Sequence, residues 1–345
     1  KTLQFYEEEY VEYHRKFPEM SRIFSDTEEK LMMLPQSNVI RDHSVSFGDS
    51  KLETETISPR PPQQRALEAL QATLEEGYNR AMVVMATGLG KTYLAGFFAK
   101  QFKRVLFIAH REEILYQAKY SFQRIMPERK GGLYFGAVKE PDADFVFASI
   151  YTLSMKKHRE IFSKNDFDLI IIDEFHHAAA KSYQKVLDYF NPSFLLGITA
   201  TPDRMDGKDV YAICDGNVAY QLHFIEAIQR GWLCPFQYYG IYDDIDYNQI
   251  TWLGSRYKEE ELLSYQLSED KAQKIFEAWI KYKQKRTLAF CSSIQQADFL
   301  ADYFRKRGRA VISLHSKTVE ITRKEAVQQL ENGSLEVIFT VLLNH

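Results

Sequence analysis

Residues 81–92 read Ala81-Met-Val-Val-Met-Ala-Thr-Gly-Leu-Gly-Lys-Thr92. A short apolar run, Ala81 to Met85, breaks into a Gly-Leu-Gly-Lys-Thr turn and then into helical text from Tyr93 to Phe102. Strand, glycine-rich loop and helix in that order are the setting a phosphate-binding loop requires. Gly88 and Gly90 let backbone N–H groups close around phosphate oxygens, and the helix start adds the positive end of its dipole. Lys91 has the reach and charge for the terminal phosphates of ATP, and the Thr92 hydroxyl suits Mg²⁺. Thr87 and Leu89 complete the loop. The plain alternative is an ordinary strand-to-helix connection.

Further apolar runs, Val105 to Ala109, Phe145 to Ala148, Leu169 to Ile172 and Phe194 to Ala200, alternate with helical stretches. Continuous apolar strands, without in-out alternation, predict an α/β fold with a doubly wound parallel sheet covered on both faces. Upstream, Pro62, the stripe Leu67, Leu70 and Leu74, and Gly77 mark a helix with a start, a buried face and a stop. Downstream, the run Leu169 to Ile172 delivers Asp173 and Glu174 at its end. Paired carboxylates at the mouth of a buried strand need a cation. Asp173 would hold Mg²⁺, and Glu174 would orient and deprotonate the water that attacks the γ-phosphate of ATP. The alternative is that the two acids cap the following helix.

A second alternation begins after a stretch punctuated by Gly207, Gly216, Gly231, Pro235, Gly240 and Gly254: helix Lys271 to Lys283, strand Thr287 to Cys291, helix Gln295 to Arg305, strand Ala310 to His315, helix Val319 to Glu331, strand Leu335 to Val341. The expected organisation is an acidic accessory segment or linker over 1–56, with a helix from Phe5 to Tyr13, then a first lobe over 57–203. A passage over 204–270 with a few strands of its own leads to a second lobe over 271–345. The length, 345 residues, agrees with about two domains at roughly 150 residues each. Lys and Arg total 44 against 47 Asp and Glu, a net charge of −3 that by itself points to no nucleic-acid partner. Cys214, Cys234 and Cys291 lack CxxC spacing, which argues against a disulfide framework or zinc cluster and for a reducing, cytoplasmic location. No apolar run approaches the roughly 18 residues of a membrane span, so no membrane partner is expected.

The ordered segments resemble the superfamily 2 helicases and translocases. Arg60-Pro-Pro-Gln63-Gln64 is similar to the adenine-reading element, residues 85–92 to motif I and Ala109-His-Arg111-Glu-Glu-Ile-Leu115 to motif Ia. Ala148-Ser149-Ile-Tyr-Thr152-Leu153 is similar to the next nucleic-acid-contacting motif, Asp173-Glu-Phe-His176 to motif II of DExH type and Thr199-Ala-Thr201-Pro202 to motif III. Leu288-Ala-Phe-Cys-Ser-Ser293 and Leu314-His-Ser-Lys-Thr318 with Arg323 are similar to motor elements of the second lobe. The likeness is strongest to the restriction-enzyme motor subunits of types I and III and to the XPB-type repair helicases.

That resemblance implies two RecA-like lobes, with ATP and Mg²⁺ in the cleft between them and nucleic acid, here double-stranded DNA, lying across both. It makes Gln63 the adenine reader and lays Arg60 over the base. His176 with Thr199, Ala200 and Thr201 would couple the γ-phosphate to lobe movement. Arg111, Ser149 and Thr152 in the first lobe and Ser292, Ser293, Lys317 and Arg323 in the second would contact phosphates, which position a strand without reading it. Open alternatives are an exposed helix residue for Gln63 and a helix cap or solvated side chain for each nucleic-acid contact. Two rival functions also stay open: an ATP-gated nucleic-acid sensor or scaffold, and an RNA helicase whose contacts need the 2′-OH.

Adjacent histidines on a helix point apart, which removes His176 and His177 as a zinc pair. His315-Ser-Lys317 opens like a phospholipase D-type nuclease, but Thr322 stands where that pattern needs Asp. Any nuclease is therefore expected on a neighbouring domain or subunit. Arg305-Lys-Arg307-Gly-Arg309 reads as a solvated helix end. The residues end at Leu342-Leu-Asn-His345, before the family's motifs V and VI, so the resemblance implies an incomplete second lobe and an arginine finger outside this stretch.

Overall fold

The computed structural model describes residues 57–202, 210–241, 246–254, 257–318 and 321–341. The accessory segment expected over 1–56, with its helix from Phe5 to Tyr13, lies outside the described residues. The chain forms two compact units, one through Phe236 and one from Gln237.

Among the described residues the first helix of this unit is Pro61–Glu75, which places two prolines in its first turn, where backbone N–H groups have no partner to lose. Its strands are β1 (Arg80–Met85), β2 (Val105–Ala109), β3 (Gly131–Phe135), β4 (Val138–Lys139), β5 (Phe145–Ser149), β6 (Leu169–Asp173), β7 (Phe194–Thr199) and β8 (Val218–Leu222). They form one sheet in the order β4-β3-β5-β2-β6-β7-β1-β8, parallel except where β3 meets β4. Alternate residues of each strand enter two separate cores. Val83, Phe107, Phe147, Ile171 and Leu196 pack under the helices Pro61–Glu75, Lys91–Ala99 and Glu112–Ile125, whereas Met82, Leu106, Ile108, Ile170 and Ile172 face the opposite layer. Burial on both faces is why these strands read as unbroken apolar runs.

Three strands were not signalled by such runs. β3 begins with Gly131 and Gly132, and a side chain at Gly132 would strike the Glu140 carbonyl, so the close approach of backbone excludes an apolar residue there. β4 is only two residues long. β8 falls within the stretch expected to carry strands of its own, yet it pairs in parallel with β1 as the sheet's edge, and only Leu222 of its five residues is buried.

In the second unit, β9 (Thr287–Cys291), β10 (Val311–Leu314) and β11 (Val337–Val341) form a parallel sheet in the order β10-β11-β9. Phe304, from the helix Ile294–Arg305, holds its core together: its ring centroid lies 4.9 Å from Phe276, 5.2 Å from Trp279 and 5.0 Å from Phe339. The helix expected from Val319 starts instead at Arg323. Thr322 accepts from the Glu325 N–H at 3.2 Å while the Glu325 carboxylate accepts from the Thr322 N–H at 2.9 Å, a reciprocal cap that fixes the start. The strand expected from Leu335 begins at Val337, because the Leu335 N–H is held by the Gln329 carbonyl at 3.0 Å in the preceding turn. Among the described residues no helix is long and apolar enough to cross a membrane.

Candidate nucleotide and nucleic-acid site

Because β1, β2, β5, β6 and β7 run parallel, Met85, Ala109, Ser149, Asp173 and Thr199 end on one edge of the sheet. Open α/β sheets bind ligands beyond these carboxyl ends. At β1 the loop turns through Gly88 at φ +91° and Gly90 at φ +79°, a left-handed conformation that a side chain strains. Leu89 is sunk in the core and anchors the turn, Thr87 and Gly88 face outward, and Lys91 and Thr92 open the following helix.

Gln63 is buried, and its amide donates to the Leu89 carbonyl at 3.3 Å and the Gly90 carbonyl at 3.0 Å. Its side-chain oxygen accepts from the Arg60 N–H at 2.8 Å. The residue expected to read adenine thus ties the start of the first helix to the phosphate loop. A Cβ at Gly90 would collide with Gln63 and Arg60, so that glycine serves close approach as well as φ.

Beyond β6, Glu174 takes the left-handed conformation, φ 49° and ψ 52°, at a cost of order 1 kcal/mol for a residue with a side chain. Phe175 holds this turn in place: its ring is fully buried and lies on Gly197 of β7, where a Cβ would come within 2.5–2.7 Å of three ring carbons. Asp173 accepts from the Glu174 N–H at 3.0 Å. Burial and the neighbouring Glu174 push the Asp173 carboxyl up to about 6, with Lys91 partly opposing. Burial also holds the Lys91 ammonium below its ordinary range, against the pull of Glu174 and Asp173. Two carboxyls that repel each other in a partly dry site, with the Thr92 hydroxyl at the adjacent helix start, have the chemistry of a divalent-cation site.

His176 Nδ1 lies 3.1 Å from Thr199 Oγ1 and 3.3 Å from Glu174 Oε2. The Thr199 hydroxyl donates to the Thr201 carbonyl and accepts from the Thr201 N–H, each at 3.2 Å. With its one proton so placed, Thr199 presents a lone pair to His176, and a carboxylate also accepts. The hydrogen therefore sits on Nδ1. Thr199, Ala200 and Thr201 are thereby joined to motif II, with Ala200 supplying the backbone between the two threonines.

Arg111 is exposed at the start of the helix Glu112–Ile125 and lies beside the end of β5, since Ala109 and Ser149 are in register. Ser149 and Thr152 are buried, and the side chain this segment turns outward is Tyr151. In the second unit the Ser293 hydroxyl caps the helix Ile294–Arg305, accepting from the Gln296 N–H at 3.1 Å. Ser292 Oγ lies 2.9 Å from Gln266 Oε1 and 3.1 Å from Gln296 Oε1, while Lys317 and Arg323 are exposed. Arg305 lies in an ion pair with Asp302, and Arg307 lies over the Tyr303 ring at 3.4 Å, so part of the basic run is engaged locally.

Sequence reading missed Leu233 and Trp232. Leu233 packs over the phosphate loop, 3.1 Å from where a Gly88 Cβ would be. Trp232 lies 5.2 Å from both Arg65 and Arg230. The signal was faint, an aromatic–aliphatic pair after Gly231 in a stretch otherwise rich in turn residues.

Residues 56–204 match the family model described as "Type III restriction enzyme, res subunit". The chain is 27% identical over 302 residues to "Putative ATP-dependent helicase IRC3" of Saccharomyces cerevisiae, covering 81% of this chain and 43% of that protein. It is 25% identical to the "Type I restriction enzyme EcoAI endonuclease subunit" of Escherichia coli, over 76% of this chain and 35% of that one. The chain thus spans less than half the length of each of these two relatives. Its fold superposes with a TM-score of 0.57 on the "ATP-dependent Type ISP restriction-modification enzyme LlaBIII bound to DNA", at 15% identity, over 87% of this chain and 25% of that one. Phosphate loop, DExH turn and threonine pair stand at one sheet edge, and with these likenesses the chain is similar to the superfamily 2 DExH-type helicases and translocases, restriction-enzyme motor subunits and XPB-type helicases among them.

Proposed function

We propose that the protein is an ATP-driven motor on nucleic acid, acting on double-stranded DNA, with residues 57–203, joined by β8 from the 204–270 passage, as its first lobe and 271–345 as its second. The observation that carries this reading is the charge cluster of Lys91, Asp173 and Glu174 at the edge where the phosphate loop opens. Lys91 binds the terminal phosphates, and the loop N–H groups close on the same oxygens. Thr92 and Asp173 hold Mg²⁺, which when bound takes up charge developing on the phosphate oxygens. Glu174 orients the attacking water and receives its proton, while His176, hydrogen-bonded to Thr199, keeps the Glu174 carboxylate facing the site. Gln63 and Arg60 flank the loop where the base would enter, and Gln63 reports on the base through the loop carbonyls it holds.

Arg111, with the backbone around buried Ser149 and Thr152, forms the first lobe's phosphate contacts. Lys317, after β10, and Arg323, at the start of the next helix, serve the second, with Ser292 and Ser293 beyond the end of β9. Two of the similar proteins are restriction enzymes, and on that likeness a nuclease domain or subunit is proposed as a partner. The three free cysteines fit a reducing cytoplasm. The deciding experiment measures ATP turnover with Mg²⁺ alone and with duplex DNA, single-stranded DNA or RNA. Stimulation greatest with duplex DNA is expected; stimulation by RNA alone would make the protein an RNA helicase, and binding without stimulated turnover would make it a sensor.

A further inference from the structure

His110 is the first residue beyond β2, directly before Arg111, and has no part in the chemistry above. β2 and β6 are neighbours with Ile108 opposite Ile172, so the chain leaving β2 at His110 and the chain leaving β6 at Glu174 emerge side by side. The His110 ring meets His177 edge to face, centroids 5.2 Å apart and planes at 68°. The His177 ring centroid in turn lies 4.2 Å from that of His176, so the two rings do not point apart as expected of a helix, because they sit in the tight turn Phe175–His177; His176 Nδ1 is shared by Thr199 Oγ1 and Glu174 Oε2. Three imidazoles therefore run without a gap from Arg111 to the residue that orients the catalytic carboxylate.

Ring packing, not hydrogen bonding, holds the first of these rings. His110 Nδ1 is shut off from solvent and has no hydrogen-bond partner. The charged groups acting on it are His177 and Arg111, which with burial favour its neutral form, and Glu174, which opposes them. A neutral ring held by contact transmits displacement and no charge. Packed side chains of this kind carry coupling when they connect two sites that move together.

We propose that His110 and His177 are positioning residues that link nucleic-acid contact at Arg111 to the placement of Glu174, and so carry the stimulation of ATP hydrolysis by nucleic acid. The inference rests on the motor reading above. A phosphate drawn to Arg111 shifts the turn after β2; His110 moves with it, presses on His177, and the adjoining His176 re-aims Glu174.

The test uses the whole protein with three readouts: turnover without nucleic acid, turnover at saturating duplex DNA, and DNA affinity by fluorescence anisotropy without ATP. In His110→Ala, stimulated turnover is expected to fall about tenfold, within the usual range of coupling between sites. Unstimulated turnover and DNA affinity should stay within about twofold of wild type, as independent sites do. His110→Phe keeps a ring at the contact and should retain most of the stimulation. His177→Ala should match His110→Ala, and the double variant should be no worse than either. Full stimulation in His110→Ala, equal losses in Ala and Phe variants, or a parallel fall in unstimulated turnover would each overturn the link. A wild-type protein that no nucleic acid stimulates would instead remove the motor reading, and the link with it.

Discussion

β6 and β9 are both five-residue parallel strands that end where the sequence turns to polar groups, Asp173-Glu174 in one case and Ser292-Ser293 in the other. Their surroundings differ. All of β6 except Asp173 is buried, whereas Leu288 and Phe290 of β9 are 55% and 59% exposed. In the first unit helices cover both faces of the sheet, so packing energy converges on the strand that carries the carboxylates. The mouth of β6 is consequently rigid enough to hold Glu174 in a strained backbone and Asp173 against its electrostatic preference. At β9 the serines make local hydrogen bonds, to Gln266 and Gln296, on a strand packed from one side. Similar strand text supports a stressed site in one place and a relaxed surface in the other.

The sharpest separation should appear in chemistry. Glu174→Gln is expected to bind ATP and lose about a hundredfold to ten-thousandfold in turnover, the span ordinarily assigned to a general base. Ser292→Ala, at the corresponding end of β9, should leave unstimulated turnover unchanged. Steady-state ATPase with a parallel nucleotide-binding titration checks both, and wild-type turnover in Glu174→Gln would undo the assignment.

Stability should divide the same way. Ile171 is fully buried, and Ile171→Ala should cost about 2–5 kcal/mol, since both transfer energy and a cavity are involved. Leu288→Ala removes exposed atoms and should stay within about 0.5 kcal/mol of wild type. Urea midpoints with slopes unchanged measure the contrast; equal losses would mean that β9 is covered in solution.

Gly197→Ala places a methyl against the Phe175 ring and is expected to cost about 1–3 kcal/mol by overpacking. ATP turnover should drop with it, because the Phe175 ring anchors the Glu174 turn. Phe175→Leu in the same chain should recover part of the stability, as thermal unfolding would show.

The smallest effect concerns pH. A carboxyl with its folded pKa raised from 3.8 to about 6 binds protons more tightly in the folded chain. The stability it contributes is full below its unfolded pKa and is lost as pH rises through about 6. Without a divalent cation, the Asp173→Asn variant should therefore resist this loss. Mg²⁺ with a non-hydrolysable ATP analogue should raise the wild-type melting temperature more at pH 7.5 than at 5.5, since Asp173 must be ionised to hold the metal. A pH-independent Mg²⁺ shift would remove Asp173 from the cation site.

How much was readable in advance follows from burial. The strands β1, β2, β5, β6 and β7 were legible because two-sided packing demands unbroken apolar text, and the phosphate loop because glycine, lysine and threonine are needed there by chemistry that no other residues supply as well. β8 was not legible, since an edge strand with one buried residue carries no such pattern. Nor was the start of the helix at Arg323, which depends on the Thr322–Glu325 cap more than on apolar spacing.

The amino-acid sequence by itself determined the α/β class and marked Lys91, Thr92, Asp173 and Glu174 as candidates, because each follows from local pattern and residue chemistry, whereas His176 was marked by the family resemblance. Only the tertiary structure decided that Gln63 is held by the loop carbonyls, that Ser149 and Thr152 face inward, that Leu233 covers Gly88, and that His110 lies against His177. Those facts depend on which strands become neighbours. Parallel strands meet only across long connections, so no short window of sequence contains both partners of such a contact.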